Sequence, residues 1–422
     1  MVFRNEESSL SHCQSRLWTP FANQKTCHER ISAAKEARQI LPPGMSGFPI
    51  IPLSDPIPLP APVWLFKVLH GTVLSLHFVV LQWVLGWLLV GILWNLWGRA
   101  RNNAAMTAGS TRIASSLPIL MTYLINFGIP PLLFTQVLYG NFLYTSSVLI
   151  GAWWISVIFL VILTYSALYA GGSRAANGRA WWGFGLLALI AGVTIAKIYS
   201  TNMTLMLRPE AWAEMFRGNP HGTSLPSHDP TLIPRWLFML SGALTMGGLG
   251  LIVTGIWQKQ TAGEKGLMVF QGGALAVLGV ILQATAGSRV IHNQPGAVLE
   301  KLNASAFYHT LPLVWIGLAV AVAVIGLLAI SSREKASSWL AGAAATLGLL
   351  FTVGTVVYRD GIRDASLSVQ GYNPWDLKVV ANWPVVLLFL GTFVIGLLLL
   401  GWMAAVALKA TKVKPAHEEV AA

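Results

Sequence analysis

The chain reads as long apolar runs separated by short polar gaps. Roughly 20 consecutive apolar residues are enough to carry a helix across a bilayer. Nine runs reach that length, near 66–97, 115–138, 146–170, 181–203, 234–257, 267–287, 309–331, 338–357 and 384–408. The pattern predicts an all-α integral membrane protein, a bundle of about nine transmembrane helices over 66–408. The first run is long enough to tilt or protrude. Gly128-Ile129-Pro130-Pro131 inside the second predicts a kink or a broken helix, which neighbouring helices tolerate.

Polar segments frame this bundle. Residues 1–44 hold six lysines or arginines and lack the apolar core of a signal peptide. Met45 opens a stretch better suited to a membrane protein, so residues 1–44 are expected to be a disordered tail or a start-site artefact. Between 45 and 65 proline recurs too often for a helix, which predicts an extended segment on the outer surface. Residues 409–422 form a polar tail.

Lysine and arginine set the orientation. Arg99, Arg101 and Arg112, then Arg174 and Arg179, then Lys259 and Lys265, then Arg333 and Lys335 occupy alternate short loops. Lys409, Lys412 and Lys414 follow the last span. The longer loops between them mix arginines with Glu210, Glu214, Asp229, Glu300, Asp360, Asp364 and Asp376. The positive-inside rule then puts the start of the first span outside and the C-terminus in the cytoplasm.

Composition agrees with this picture. The 422 residues are 55 % hydrophobic and 10 % charged, against about 25 % charged in a soluble domain. Such a surface has to meet lipid. The net charge of +12 does not signal nucleic acid, because the basic residues sit at the ends of apolar runs and not in one stripe. Cys13 and Cys27 lie in the tail and no CxxCH occurs. A c-type haem attachment and a thiolate-held cluster within the bundle are excluded.

Histidine carries most of the candidate chemistry. His70 and His77 are two turns apart on the first span, so both project from one face about 10.5 Å apart. That is too far for both to hold one iron, and each would need a partner from another helix. His309 opens the seventh span at a depth like that of His70, and His292 sits in the preceding loop. Met239 and Met246 repeat the seven-residue spacing on the fifth span and are further axial candidates. Each has a plainer alternative: a hydrogen bond to a neighbouring helix for His70 and His77, interfacial anchoring for His309, packing for the methionines. Lys197, near the outer end of the fourth span, either snorkels or pairs with an acid or a haem propionate. Arg359, Asp360, Arg363 and Asp364, just outside the eighth span, read as a self-paired surface helix or as a propionate or partner site. No Asp or Glu falls in the middle of a span, which argues against a buried proton relay.

Several local stretches resemble, distantly, subunit I of the cytochrome bd quinol oxidases. Lys67 and Leu76-His77-Phe78 are similar to the family's first span, and Ile125-Asn126-Phe127 to the start of its second. Asn202 and Pro209 resemble the end of the fourth, Asn293-Gln294-Pro295 the Gln-Pro after the sixth, and Thr355 to Arg359 the end of the eighth. The number of spans and the orientation are similar too. The resemblance implies that His77 ligates haem b. It also implies losses: the family's other haem ligands fall on Phe238 and Trp315 or a close neighbour and on Val356, its glutamates fall near Ile150 and Ile158, and its quinol-binding loop has no counterpart around Gln294. Terminal oxidase activity is therefore not expected. What the resemblance implies instead is a subunit of a respiratory electron-transfer complex in a bacterial inner membrane. It would exchange electrons with quinone or a periplasmic c-type cytochrome and assemble with other membrane subunits. A cofactor-free anchor or assembly subunit is the alternative. A solute transporter is a third class, with the Gly128–Pro131 break as its only support.

Overall fold

The structure, a computed structural model, describes residues 58–410 apart from 227 and 259, and of residues 407–410 only the backbone. The tail 1–44 with Cys13 and Cys27, the 45–57 part of the proline-rich segment, Lys259, the Lys409 side chain, and the end of the chain with Lys412 and Lys414 lie outside the described residues.

Among the described residues the chain is helical and forms no β-strand. The helices are α1 (Val63–Ala100), α2 (Ala104–Leu149), α3 (Gly151–Ala176), α4 (Trp182–Leu205), α5 (Trp212–Gly218), α6 (Leu232–Trp257), α7 (Ala262–His292), α8 (Gly296–Ala304), α9 (Ala306–Ser332), α10 (Ser338–Val369) and α11 (Trp383–Ala410). Among the described residues nine of them, all but the short α5 and α8, are long and apolar enough to cross a membrane. Each apolar run of the sequence has its helix, as a multi-pass membrane protein requires.

The ends differ from the expectation in three places. α2 has 46 residues and runs through Pro118, Pro130 and Pro131 without a break. Its one non-helical residue is Tyr139 (φ −137°, ψ 28°), so the expected interruption at Gly128–Pro131 is displaced by more than two turns. α10 continues to Val369, beyond the apolar run that stops at 357. α1 starts at Val63, inside the segment expected to be extended, and the few described residues before it pair with the chain ahead of α11. Leu59 donates to the Lys378 carbonyl (2.8 Å) and accepts from the Val380 amide (2.9 Å), and Leu59 and Ala61 are buried.

α1 is the hub of the bundle, packing against α2, α4, α6 and α10. α6 and α1 are the most enclosed helices, and α11 lies almost wholly exposed at the edge. Lipid is as apolar as leucine, so helices in a bilayer gain little from burying large side chains and associate through close backbone approach. At Gly86 a Cβ would lie 2.0 Å from the Ala243 carbonyl oxygen and 2.8 Å from the Gly247 Cα. The α1–α6 crossing therefore admits no side chain there. Gly86→Leu is expected to remove the monodisperse, folded fraction on size exclusion in mild detergent. Gly71→Ala on the same helix, where a Cβ meets nothing within 4 Å, should leave that fraction unchanged.

Polar groups at helix ends are satisfied across helices. Asn95 of α1 accepts from the Trp181 and Trp182 amides (3.1 and 3.3 Å) and donates to Ser110 (3.2 Å). The start of α4, which lacks a capping side chain of its own, is thus capped from α1.

Candidate functional site

A cavity of about 580 Å³ lies inside the bundle, walled by residues of α1, α2, α4, α6, α9 and α10 among others. Pockets that take a small organic ligand or cofactor measure about 300–1,000 Å³. The lining is mostly aliphatic and aromatic. The basic exceptions are His70, His77, Arg235, Arg359 and Arg363.

The two histidines of α1 both turn toward α2, as their spacing predicted, but their nitrogens are used differently. The His77 Nδ1 lies 3.0 Å from the Leu124 carbonyl oxygen. A carbonyl only accepts, so Nδ1 carries the proton and a neutral ring keeps its lone pair on Nε2. No hydrogen bond to a described residue engages that Nε2. The His70 Nδ1 donates in the same way to the Pro131 carbonyl (3.1 Å), but its Nε2 accepts from Arg363 (3.3 Å). With 2 % of its surface exposed, His70 is a closed, fully bonded residue. Of the pair, His77 is the one with a ring nitrogen that no described residue engages.

Gly128 explains itself here. A Cβ on it would lie 2.8 Å from the His77 Cε1, so the imidazole packs directly on the α2 backbone. The glycine expected to break the helix instead makes room for the ring.

Other sequence candidates are placed elsewhere. His309 is exposed at the start of α9, 3.5 Å from the Asn303 side-chain oxygen, and does not join His70 and His77. Met246 is buried in the core, with its sulfur 3.9 Å from the Thr352 hydroxyl; Met239 lines the cavity. The Lys197 ammonium turns toward α6. It is buried without a hydrogen-bond partner and lies 5.6 Å from the centre of the Trp236 ring, a cation–π contact. Arg359 does face the cavity, with its guanidinium 5.7 Å from the Phe78 ring centre. Among the described residues no three His, Cys, Asp or Glu side chains converge.

The charged patch on α10 is an internal network and not a surface helix. Lys67 of α1 binds Asp360 (2.9 Å) and Asp364 (2.6 Å) and donates to the Tyr139 hydroxyl (2.5 Å). Tyr139 donates to the other oxygen of Asp364 (2.6 Å), and Arg363 lies 3.3 Å from Asp360. The kink of α2 falls on the residue that enters this network. Two carboxylates thus lie within the last three turns of a membrane-length helix, while its middle stays free of acids, as expected. The Arg-Asp spacing looked self-paired because the main partner, Lys67, comes from a helix some 290 residues away (separations 293 and 297). Just past α10, Tyr372 donates to the Leu138 carbonyl. Burial, then the Asp364 charge, push its phenol up to about 12, so it remains a neutral donor.

Sequence reasoning missed Arg235, Tyr139 and the inward role of Lys67. Arg235 had a signal, an arginine in the first turn of an apolar helix, which a bilayer tolerates only with a purpose. Phe238 and Trp315, which the resemblance sets at the positions of two haem ligands, meet across α6 and α9 with ring centres 6.0 Å apart and both line the cavity. No protein-family model and no curated protein matches the chain.

Proposed function

We propose that the chain is a haem b-holding membrane subunit of a respiratory electron-transfer complex, a divergent relative of bd-oxidase subunit I. His77 is the observation that carries this: a ring fixed through Nδ1, with Nε2 free beside an apolar cavity of about 580 Å³. Metal-ligating histidines almost always donate their other N–H to a carbonyl, a carboxylate or water, which fixes tautomer and orientation. The residues present therefore fit a haem, which His77 would hold through Nε2. A haem bound there would supply reversible one-electron transfer. The Leu124 carbonyl holds the ring in the ligating tautomer, Gly128 sets its depth, and the aliphatic walls exclude water. Exclusion of water and axial ligation are the protein's levers on such a group.

The meeting of Phe238 and Trp315 supports the alignment behind the relationship, because the resemblance gives those two positions to ligands of a single haem. The alternation of basic and mixed loops supports an orientation with the first span starting outside and the C-terminus in the cytoplasm of a bacterial inner membrane. Electrons would pass between the quinone pool and a periplasmic c-type cytochrome, with further membrane subunits alongside. Oxygen reduction is not part of the proposal, since Ile150, Ile158 and Val356 stand where it needs carboxylates.

One observation favours the cofactor-free anchor as second reading. His70 uses both ring nitrogens within the protein, so a buried histidine in this fold can serve packing alone. A reduced-minus-oxidised spectrum of the chain, purified in mild detergent from cells supplied with haem precursor, separates the two. A b-type band is expected; protein without any chromophore would leave the anchor.

A further inference from the structure

The polar wall of the cavity carries more positive charge than the protein balances. Lys67 and Arg363 are matched one for one by Asp360 and Asp364. Arg235 also lines the cavity and donates to the Thr231 hydroxyl (3.1 Å), with no ion pair to a described residue. Asp229, the acid nearest in sequence to Arg235, is held by Arg208 at 2.5 Å. Arg359 has neither a hydrogen bond nor an ion pair to a described residue, and its guanidinium lies over the Phe78 ring. Two guanidiniums thus face the cavity with no ion pair to a described acid, each sensing only an aspartate already held by another cation. Arginine cannot shed its proton in a protein, and burying an unpaired charge is costly. An anion that enters the cavity would supply the missing partner.

We infer that this wall is a carboxylate site, and that the cavity takes an acidic amphiphile whose acid group is held by Arg359 and Arg235. The planar fork of N–H donors on arginine matches a carboxylate in bidentate fashion. The aliphatic remainder of the wall takes the apolar body. Arg359 and His77 both line this one cavity, and Phe78 stands beside each of them, so a ligand that fills it is offered both groups. The site deepens the haem proposal by naming where the acid groups of the ligand go. Two sources offer that chemistry in a bilayer: the propionates of a haem and the head of a fatty acid.

The test uses the full chain, produced without haem precursor and titrated in detergent with hemin, hemin dimethyl ester and oleate. Hemin is expected to bind at least about tenfold tighter than its ester, which has the same iron and ring but no carboxylate; a tenfold ratio is about 1.4 kcal/mol. Arg359→Gln and Arg235→Gln should each reduce that ratio toward one and leave the affinity of the ester unchanged. Equal binding of acid and ester by the unaltered chain overturns the proposal without recourse to any variant. A preference that survives in both variants also overturns it. Oleate binding that Arg359→Gln abolishes, with no binding of either porphyrin, upholds the carboxylate site and removes the haem. Failure of all three to bind refutes both.

Discussion

Lys67→Met is expected to lower the apparent unfolding temperature of the detergent-solubilised protein by about 5–15 °C. Lys67 holds Asp360, Asp364 and Tyr139 at 2.9, 2.6 and 2.5 Å. Its loss leaves two carboxylates sharing the single guanidinium of Arg363 in the packed end of the bundle. Removing one partner of a buried pair costs about 3–5 kcal/mol, because the other charge stays buried and uncompensated. Each kcal/mol moves the midpoint of a mid-sized domain by about 2–4 °C and of a larger one by less. The side chains are 9 % and 18 % exposed, so solvent screens this network far less than a surface pair. Asp364→Asn alone should also destabilise. The double variant Lys67→Met with Asp364→Asn keeps one cation and one anion, Arg363 and Asp360, and should unfold above Lys67→Met alone. Scans at one fixed rate suffice for the comparison, since membrane-protein unfolding is commonly irreversible and rate-dependent. A double variant as unstable as the two single losses added would mean Lys67 and Asp364 are not coupled.

The second large effect concerns pigment and not stability. On the proposed haem site, His77→Ala should remove at least half of the b-type band per mole of protein. His70→Ala should keep the band, because its Nε2 is already taken by Arg363, and should instead lower stability by leaving a void and removing one hydrogen bond each from Arg363 and the Pro131 carbonyl. Gly128→Leu reaches the same end as His77→Ala by another route, since its side chain must enter the volume of the imidazole. Two different changes converging on one spectral loss would distinguish ligation from general damage. An unchanged band in His77→Ala would place the iron elsewhere.

The nine long helices were legible in the chain because crossing a bilayer is a local requirement. About 20 apolar residues in a row meet it regardless of what the rest of the chain does, and every run found its helix. The face shared by His70 and His77 was legible for the same reason, since two turns of helix are a matter of counting. Hydropathy stopped informing where polarity began. It ended the eighth span at 357, while α10 runs on to Val369 because Lys67 and Tyr139 make its acids welcome inside. Nor could it distinguish the two histidines. Arg363, 293 residues further on, closes the Nε2 of His70 and leaves that of His77 open. Gly128 read as a helix breaker until the ring beside it was placed, and Tyr139 carried no signal of the kink. Burial in lipid sums along a segment and can be read from it. The state of a buried charge or lone pair depends on which distant side chains arrive within 3 Å, and only the packed bundle decides that.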